Sequence, residues 1–357
     1  MKVLMKKNII VCLSLLLIFT TGCSKEGQKR YQAEFLTLFD TVTTIVGYAD
    51  NKDEFNSLAQ KVHDKLQEYH QLFDIYNFYT GINNIKTIND NAGITPVKVD
   101  ERIISLLLFA KERYEATDGE INVAFGSVLS IWHEYRQSGI DDPENAVIPP
   151  ISLLQQAAEH CDINNIIINK ENSTVYLNDN DMSLDVGAIA KGYAVEQVAL
   201  LMEKEGYKSL IISVGGNVRA IDGKLNEDGS EQYWNIGIEN PDKESSQTEL
   251  MYVIIKNCSV VTSGVYQRYF TVNGEQYHHI IDKKTLMPSQ YFTAVTIICP
   301  DSGKADAFST AIFNMPLDKG LAFINSLSDT EALWVLKDGT LEYSDGFDKY
   351  IKVKNAE

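Results

Sequence analysis

The chain has 357 residues, 49 acidic against 32 basic side chains, and a formal net charge of −17. So acidic a surface repels a phosphate backbone, which excludes nucleic acid as a partner, and only an anchor would hold the chain on an anionic membrane. Cys161, Cys258 and Cys299 are scattered and form no CxxC pair, which excludes a disulfide framework and a cysteine zinc site; Cys258 and Cys299 read as buried thiols.

Lys2, Lys6 and Lys7 precede an apolar stretch over 9–19, too short for a comfortable membrane span, which ends at Thr20-Thr21-Gly22-Cys23. This order resembles the lipobox of bacterial lipoproteins, whose cysteine is lipidated and becomes the N-terminus. The alternative is an ordinary signal peptide or anchor helix with a chance cysteine. The expected layout is a signal peptide over 1–22, lipidation at Cys23, a polar tether over 23–30 and one domain over 31–357. It places the protein on the extracytoplasmic face of a bacterial cell membrane, held by its lipid.

Residues 34–48, rich in Thr and Val, read as a strand pair. Leu58, Val62, Leu66, Tyr69 and Phe73 share one face of a helix over 54–73. An Asn-rich loop with one helical turn covers 74–91, and a second amphipathic helix over 99–117 stops at Asp118-Gly119. The apolar segment 121–135 leads to a proline-containing loop over 137–150 and a helix over 152–160. A hairpin follows at 166–168 and 174–177. A strand over 183–186 leads into a helix over 192–205, then a buried strand over 209–214. Further strands are expected at 233–239, 249–256, 259–262, 266–272, 278–281 and 294–299. A helix over 304–313 and a hairpin over 333–343 close the chain. Strands in runs with helices between them indicate an α+β fold: one domain of mixed and antiparallel sheets with flanking helices. The acidic stretches 223–232 and 242–248 read as surface loops.

Four segments carry candidate chemistry. Gly187-Ala188-Ile189-Ala190-Lys191-Gly192 follows Asp185 and opens a helix; small residues, a helix N-terminus and a lysine suit a phosphate, although a tight turn with a solvated lysine has the same spacing. It is no Walker A loop, because GxxxxGK[ST] is absent. Gly215-Gly216-Asn217 allows close backbone approach or is simply a turn. Thr262-Ser263-Gly264 precedes Tyr277-His278-His279-Ile280-Ile281-Asp282. Adjacent histidines on a strand face opposite ways, so one faces a site and the other is structural, and Asp282 equally suits a turn. Asp306 and Thr310, four apart on a helix, offer a carboxylate and a hydroxyl to one hard cation such as Mg²⁺, or are a helix-start acid and a packing threonine.

Taken together, the segments resemble the ApbE family of FAD:protein FMN transferases. The matching elements are Phe39-Asp40-Thr41, Phe73-Asp74-Ile75-Tyr76, the looser 83–89 stretch, Asp118-Gly119 with Trp132, 185–193, Gly215-Gly216-Asn217, Thr262-Ser263-Gly264, His279-Ile280-Ile281-Asp282 and Ala305-Asp306-Ala307-Phe308-Ser309-Thr310. Departures include Phe39-Asp40 for Met-Gly, Asn83-Asn84 for Ser-Glu, Val265 for Asp, and Lys283 and Leu286 in a turn usually built with Pro and Gly.

The resemblance implies Mg²⁺ on Asp306, Thr310 and a backbone carbonyl near Ala188, with FAD as substrate. It implies Lys191 at the diphosphate and Tyr76 against the isoalloxazine ring. Asp118, Asp185, Thr262, Ser263, Gly264 and His279 are then further FAD-pocket residues. His279, Asp282 and Lys191 are the catalytic candidates, with His279 preferred for proton transfer. The implied reaction moves FMN from FAD to a threonine of an exported acceptor flavoprotein through a phosphoester and releases AMP. The rivals are an FAD pyrophosphatase giving free FMN and AMP, and a lipoprotein that binds FAD without turnover.

Overall fold

The computed structural model describes residues 28–226, 228–266 and 268–352, so the leader and Cys23 lie outside the described residues. The chain runs β1 (Lys29–Leu38), β2 (Thr41–Ala49), α1 (Lys52–Phe73), α2 (Ile85–Asn89), β3 (Val97–Lys98), α3 (Glu101–Ala116), α4 (Gly126–Asp141), α5 (Ile151–Ala158), β4 (Ile166–Asn169), β5 (Thr174–Leu177) and α6 (Ala190–Lys204). Next come β6 (Leu210–Val214), β7 (Asn217–Ile221), β8 (Lys224–Leu225), β9 (Glu231–Gln232), β10 (Trp234–Glu239), β11 (Glu249–Ile255), β12 (Ser259–Gly264), β13 (Tyr269–Val272) and β14 (Glu275–His278). The last elements are β15 (Phe292–Cys299), α7 (Ser302–Phe313), α8 (Leu317–Asn325), β16 (Glu331–Leu336) and β17 (Leu341–Tyr343).

Eight strands form one sheet, ordered β1-β2-β6-β7-β12-β15-β16-β17, with every neighbouring pair antiparallel. Strand periodicity decides which face each residue serves. Ile45 and Ile212 join a core built with α1, α3 and α6, and Val261 and Ile297 join one built with α7 and α8. Their neighbours Val46, Ile211, Val260 and Ile298 bury on the other face, under the β10–β11 hairpin and Phe347. Covering both faces demands apolar residues at successive positions, so these strands read as continuous runs rather than alternating ones. A fourth cluster packs α4 and α5 against β13 and β14 around Trp132 and Phe270. The result is the α+β single domain expected.

Local departures have physical causes. Lys29 and Arg30, expected in the tether, already pair with Ala49 and Tyr48. Helix α4 continues to Asp141, into the expected loop. Residues 183–186 form no strand: Leu184 exchanges two hydrogen bonds with the Asn89 side chain, Ser183 N–H goes to Ser127 Oγ, and Asp185 N–H to the Val123 carbonyl. Side chains thus satisfy a backbone that a ladder would otherwise need. The strand expected over 278–281 lies earlier, as β14. Helix α8 and strand β7 were not anticipated.

Two tight turns sit at one end of the large sheet. Phe39 and Asp40 link β1 to β2 with φ of 52° and 54°, and Gly215 and Gly216 link β6 to β7 with φ of 54° and 90°. Positive φ at both central residues gives the hairpin geometry that follows strand twist.

Candidate active site

A cleft of about 330 Å³ opens where these two turns meet the start of α6, the face of α7 and the segment after β14. Its lining brings together Tyr76, Asp185, Ala188, Lys191, Thr262, Ser263, Gly264, His279, Asp306 and Thr310 from five separate stretches of chain. The volume is at the lower end of small-molecule sites.

The contact between α6 and α7 depends on Gly192. A Cβ there would meet the Ser302 carbonyl oxygen at 2.3 Å and Asp306 Cβ at 2.4 Å. Gly192 N–H, which a regular helix would give to the carbonyl four residues back, donates instead to Asp306 Oδ2 at 2.8 Å. The Ala188 carbonyl therefore accepts no backbone hydrogen bond among the described residues. Asp306 is buried at 4% exposure. Burial pushes its carboxyl up from the usual range, against the pull of Lys191 and Gly192 N–H. The Asn217 amide also favours the ionised carboxylate, but its buried Nδ2 meets no acceptor in good hydrogen-bond geometry and remains an unpaired donor.

This donor set fits a hard cation. Asp306 and Thr310 lie one turn apart on α7, and the Ala188 carbonyl adds a third oxygen. Asn314 Oδ1, another lining residue's oxygen, is buried without a partner. Oxygen ligands completed by substrate phosphates suit Mg²⁺. The grouping of three His and Asp side chains found among the described residues, His160 with Asp179 and Asp181, lies outside this cleft.

The Lys191 side chain, on the second residue of α6, makes no hydrogen bond or ion pair among the described residues and faces the fields of Asp185 and Asp306. Asp185 accepts Gly187 N–H at 2.7 Å, which bends the chain into the helix. Its surface is partly open to the cleft, yet the walls enclose the carboxylate, and burial raises its pKa against Gly187 N–H, His133, Lys191 and Arg136. Ser263 Oγ bonds Ser309 Oγ at 2.8 Å, and Ser309 Oγ donates to the Asp306 carbonyl, tying β12 to the turn of α7 that carries Asp306. Thr262 Oγ1 pairs with Thr296 Oγ1 at 2.9 Å across the sheet.

The adjacent histidines divide as expected. His278 Nε2 donates to the Ser289 carbonyl at 2.8 Å and Nδ1 accepts Ile280 N–H at 3.2 Å, so both nitrogens are structural. His279 Nδ1 lies 3.3 Å from the Arg268 carbonyl, an acceptor only, so this nitrogen carries the proton and Nε2 keeps its lone pair. The ring retains some open surface but is tightly walled. Burial, then the charges of Arg268, Arg136 and Lys191, push its pKa down to about 3.

Two expected residues do not join the lining. Asp282 Oδ1 accepts Lys284 N–H at 2.7 Å, and its backbone closes a turn with Met287 and Leu286: it is a turn-building aspartate. Asp118 has φ of 50°, and its carbonyl accepts Lys283 Nζ at 2.7 Å; only its neighbours Gly119 to Asn122 reach the cleft. Lys283 also pairs with Glu120 at 3.3 Å and so braces this loop.

Other contributors were not anticipated. Asp74 accepts from Tyr76 N–H at 2.6 Å, Asn77 N–H at 3.0 Å and Tyr79 Oη at 2.7 Å, and so shapes the loop that presents Tyr76. His133 and Arg136 on α4, and Arg268 before β13, line the cleft, and the two arginines bring positive charge to it. The signal for the first two was their i, i+3 spacing, in a stretch read only as an apolar segment running into a loop.

The family model for the ApbE family matches residues 39–334. The chain belongs to the ApbE family. It is 31% identical over 312 residues to an FAD:protein FMN transferase of Treponema pallidum, covering 84% of each chain. It is 30% identical over 283 residues to one of Klebsiella pneumoniae, covering 79% of this chain and 83% of that one. Among solved structures it resembles the ApbE protein of Thermotoga maritima with a TM-score of 0.78 at 28% identity, covering 91% of this chain and all of that one. The flavinyl transferase ApbE of Pseudomonas stutzeri, at 22% identity and a TM-score of 0.73, shares the fold. Membership in this family makes the chain a transferase enzyme.

Proposed function

We propose that this ApbE-family enzyme moves FMN from FAD to a threonine of an exported acceptor protein, with Mg²⁺ and with release of AMP, while tethered to the membrane through Cys23. The observation that carries the reading is the junction of α6 and α7. There a buried carboxylate, a hydroxyl and a freed carbonyl face a lysine at a helix start. Relatives 30–31% identical to this chain over most of its length are named FAD:protein FMN transferases.

In this reading Asp306, Thr310 and the Ala188 carbonyl hold Mg²⁺, which supplies charge neutralisation and Lewis-acid polarisation of the diphosphate. Lys191 and the α6 N-terminus add positive field to the same oxygens. Tyr76 offers its ring to the isoalloxazine. The acceptor threonine's oxygen forms a bond to the FMN phosphorus while the bond from that phosphorus to the AMP phosphate oxygen breaks, and AMP leaves. His279 Nε2 takes the hydroxyl proton; burial first, and then the charges of Arg268, Arg136 and Lys191, keep the free ring neutral, and a diphosphate entering the cleft offsets the share due to those charges. The chain's main contribution is position and electrostatics.

The test incubates the enzyme with FAD, Mg²⁺ and a threonine-bearing exported domain beside its Thr→Ala variant. Flavin fluorescence in a denaturing gel on the threonine form alone, with AMP released, is the expected result. Free FMN across several acceptors would favour a pyrophosphatase, and intact FAD would favour a carrier.

A further inference from the structure

Helix α4 presents His133 and Arg136 on the cleft wall beside Tyr76. The Tyr76 and His133 rings lie 4.9 Å apart between centroids at 31°. Arg136 Nη2 donates to His133 Nδ1 at 2.9 Å, and the Tyr76 hydroxyl is 3.4 Å from the same nitrogen. A guanidinium has donors only, so Nδ1 is the acceptor and the ring is neutral with its proton on Nε2. Protonation of Nδ1 would set one N–H against another and one cation against another. Burial, and then Arg136, lower the imidazole's affinity for that proton.

Tyr76 itself is 51% exposed on the loop shaped by Asp74. That carboxylate holds the loop backbone and leaves the ring to turn about its own side-chain bonds. The ring packed against it is His133, and Arg136 fixes His133.

We propose that His133 and Arg136 are positioning residues that brace the back of the Tyr76 ring, so that its open face is preset for the flat ring system of the flavin. The proposal rests on the FAD reading above. A preset ring loses less rotational freedom when a planar ligand stacks on it, and the stack itself favours an offset, nearly parallel arrangement. The brace acts on binding and leaves the phosphoryl step alone. Its signature is therefore in KM for FAD rather than kcat, and it works only through Tyr76.

The experiment compares full-length wild type with His133→Ala, His133→Phe, Tyr76→Ala and the double variant His133→Ala/Tyr76→Ala, reading KM for FAD, kcat, quenching of flavin fluorescence and Tm. His133→Ala is expected to raise KM roughly three- to tenfold with weaker quenching and little change in kcat. His133→Phe restores the stack and most of the affinity. In the Tyr76→Ala background the His133 substitution adds nothing. Wild-type KM and quenching in His133→Ala, or effects of the two residues that simply add, overturn the proposal. If His133→Ala fails to fold, His133→Leu, which keeps volume without a ring, takes its place with the same expectations. A wild-type enzyme that neither quenches nor consumes FAD would instead sink the FAD reading, whereas quenching by wild type beside an unaffected His133→Ala sinks only the brace.

Discussion

Asp306 shows one side chain serving structure and chemistry together. Its carboxylate caps the Gly192 N–H and faces the proposed cation position. Asp306→Asn keeps an oxygen for Gly192 and removes the charge, so turnover should fall by roughly 100-fold or more while Tm changes little. Asp306→Ala should lose turnover and also melt earlier, because the buried N–H is left unpaired. Wild-type rates in the Asn variant, measured against Mg²⁺ concentration, would contradict the metal assignment. His279 gives a pH prediction. Its folded pKa, about 3, lies below the ordinary 6.5, so below about pH 6.5 the unfolded chain binds a proton that the folded chain refuses. Its contribution to stability is full above that value and falls as pH drops toward 3. His133 and His278 are lowered too, also by burial first. His279→Gln should therefore lose less Tm than wild type between pH 7 and pH 4.5; equal losses would show that the imidazole is not held neutral.

At the scale of elements, two contacts decide whether the cleft forms. The helix crossing at Gly192 has no room for a methyl, with a carbonyl oxygen 2.3 Å from the would-be Cβ. Gly192→Ala should cost about 1–3 kcal/mol by thermal melting and also lower turnover, because α7 must move to relieve the clash. Unchanged activity with unchanged Tm would show that the helices can part freely. The β1–β2 turn gives a second test. Asp40 sits at φ of 54°, a region that glycine enters readily, aspartate tolerates and β-branched residues resist. Asp40→Val should destabilise by roughly 1–2 kcal/mol, whereas Asp40→Gly should leave stability equal or slightly higher. A Tm series with valine at or above aspartate would refute the strain argument.

At the scale of the whole molecule, the strongly acidic chain lines its cleft with Arg136, Lys191, Arg268 and Lys283 against Asp40, Asp74, Glu120, Asp185 and Asp306, so the cleft is close to charge balance while the chain as a whole is not. That contrast suits an anionic small molecule held inside a protein whose surface repels polyanions. Among the described residues no helix is long and apolar enough to cross a membrane. The proposed tether depends on the leader, where the basic, apolar and cysteine segments follow one another. Cys23→Ala should leave the leader uncleaved or release the protein from membranes, as read by fractionation and intact mass. A mature, membrane-bound protein after that substitution would end the lipoprotein reading.

Much of this was legible in the chain itself. The apolar runs at Ile211-Ile212 and Ile297-Ile298 announced strands buried on both faces, and the 3.6-residue stripe from Leu58 to Phe73 announced α1. Asp306 and Thr310, four apart, announced a shared helix face. These are local signals, set by periodicity and by the chemistry of each side chain. What local signals cannot carry is which distant group a side chain meets. His279 and Asp282 lie three apart in equally polar surroundings, yet one imidazole walls the cleft while the carboxylate closes a turn. Residues 183–186 have a strand's composition, but Asn89, 95 residues away from Leu184, takes their hydrogen bonds. His133 and Arg136, in and just beyond a segment read only as apolar, gained a place only where α4 packs beside Tyr76. The sequence by itself determined the family, the α+β class and the kinds of ligand atom on offer, because these follow from residue types at short spacings. Only the tertiary structure decided which of those atoms converge, because convergence depends on the close approach of α6 and α7 at Gly192 and on the end of the sheet where the two turns meet.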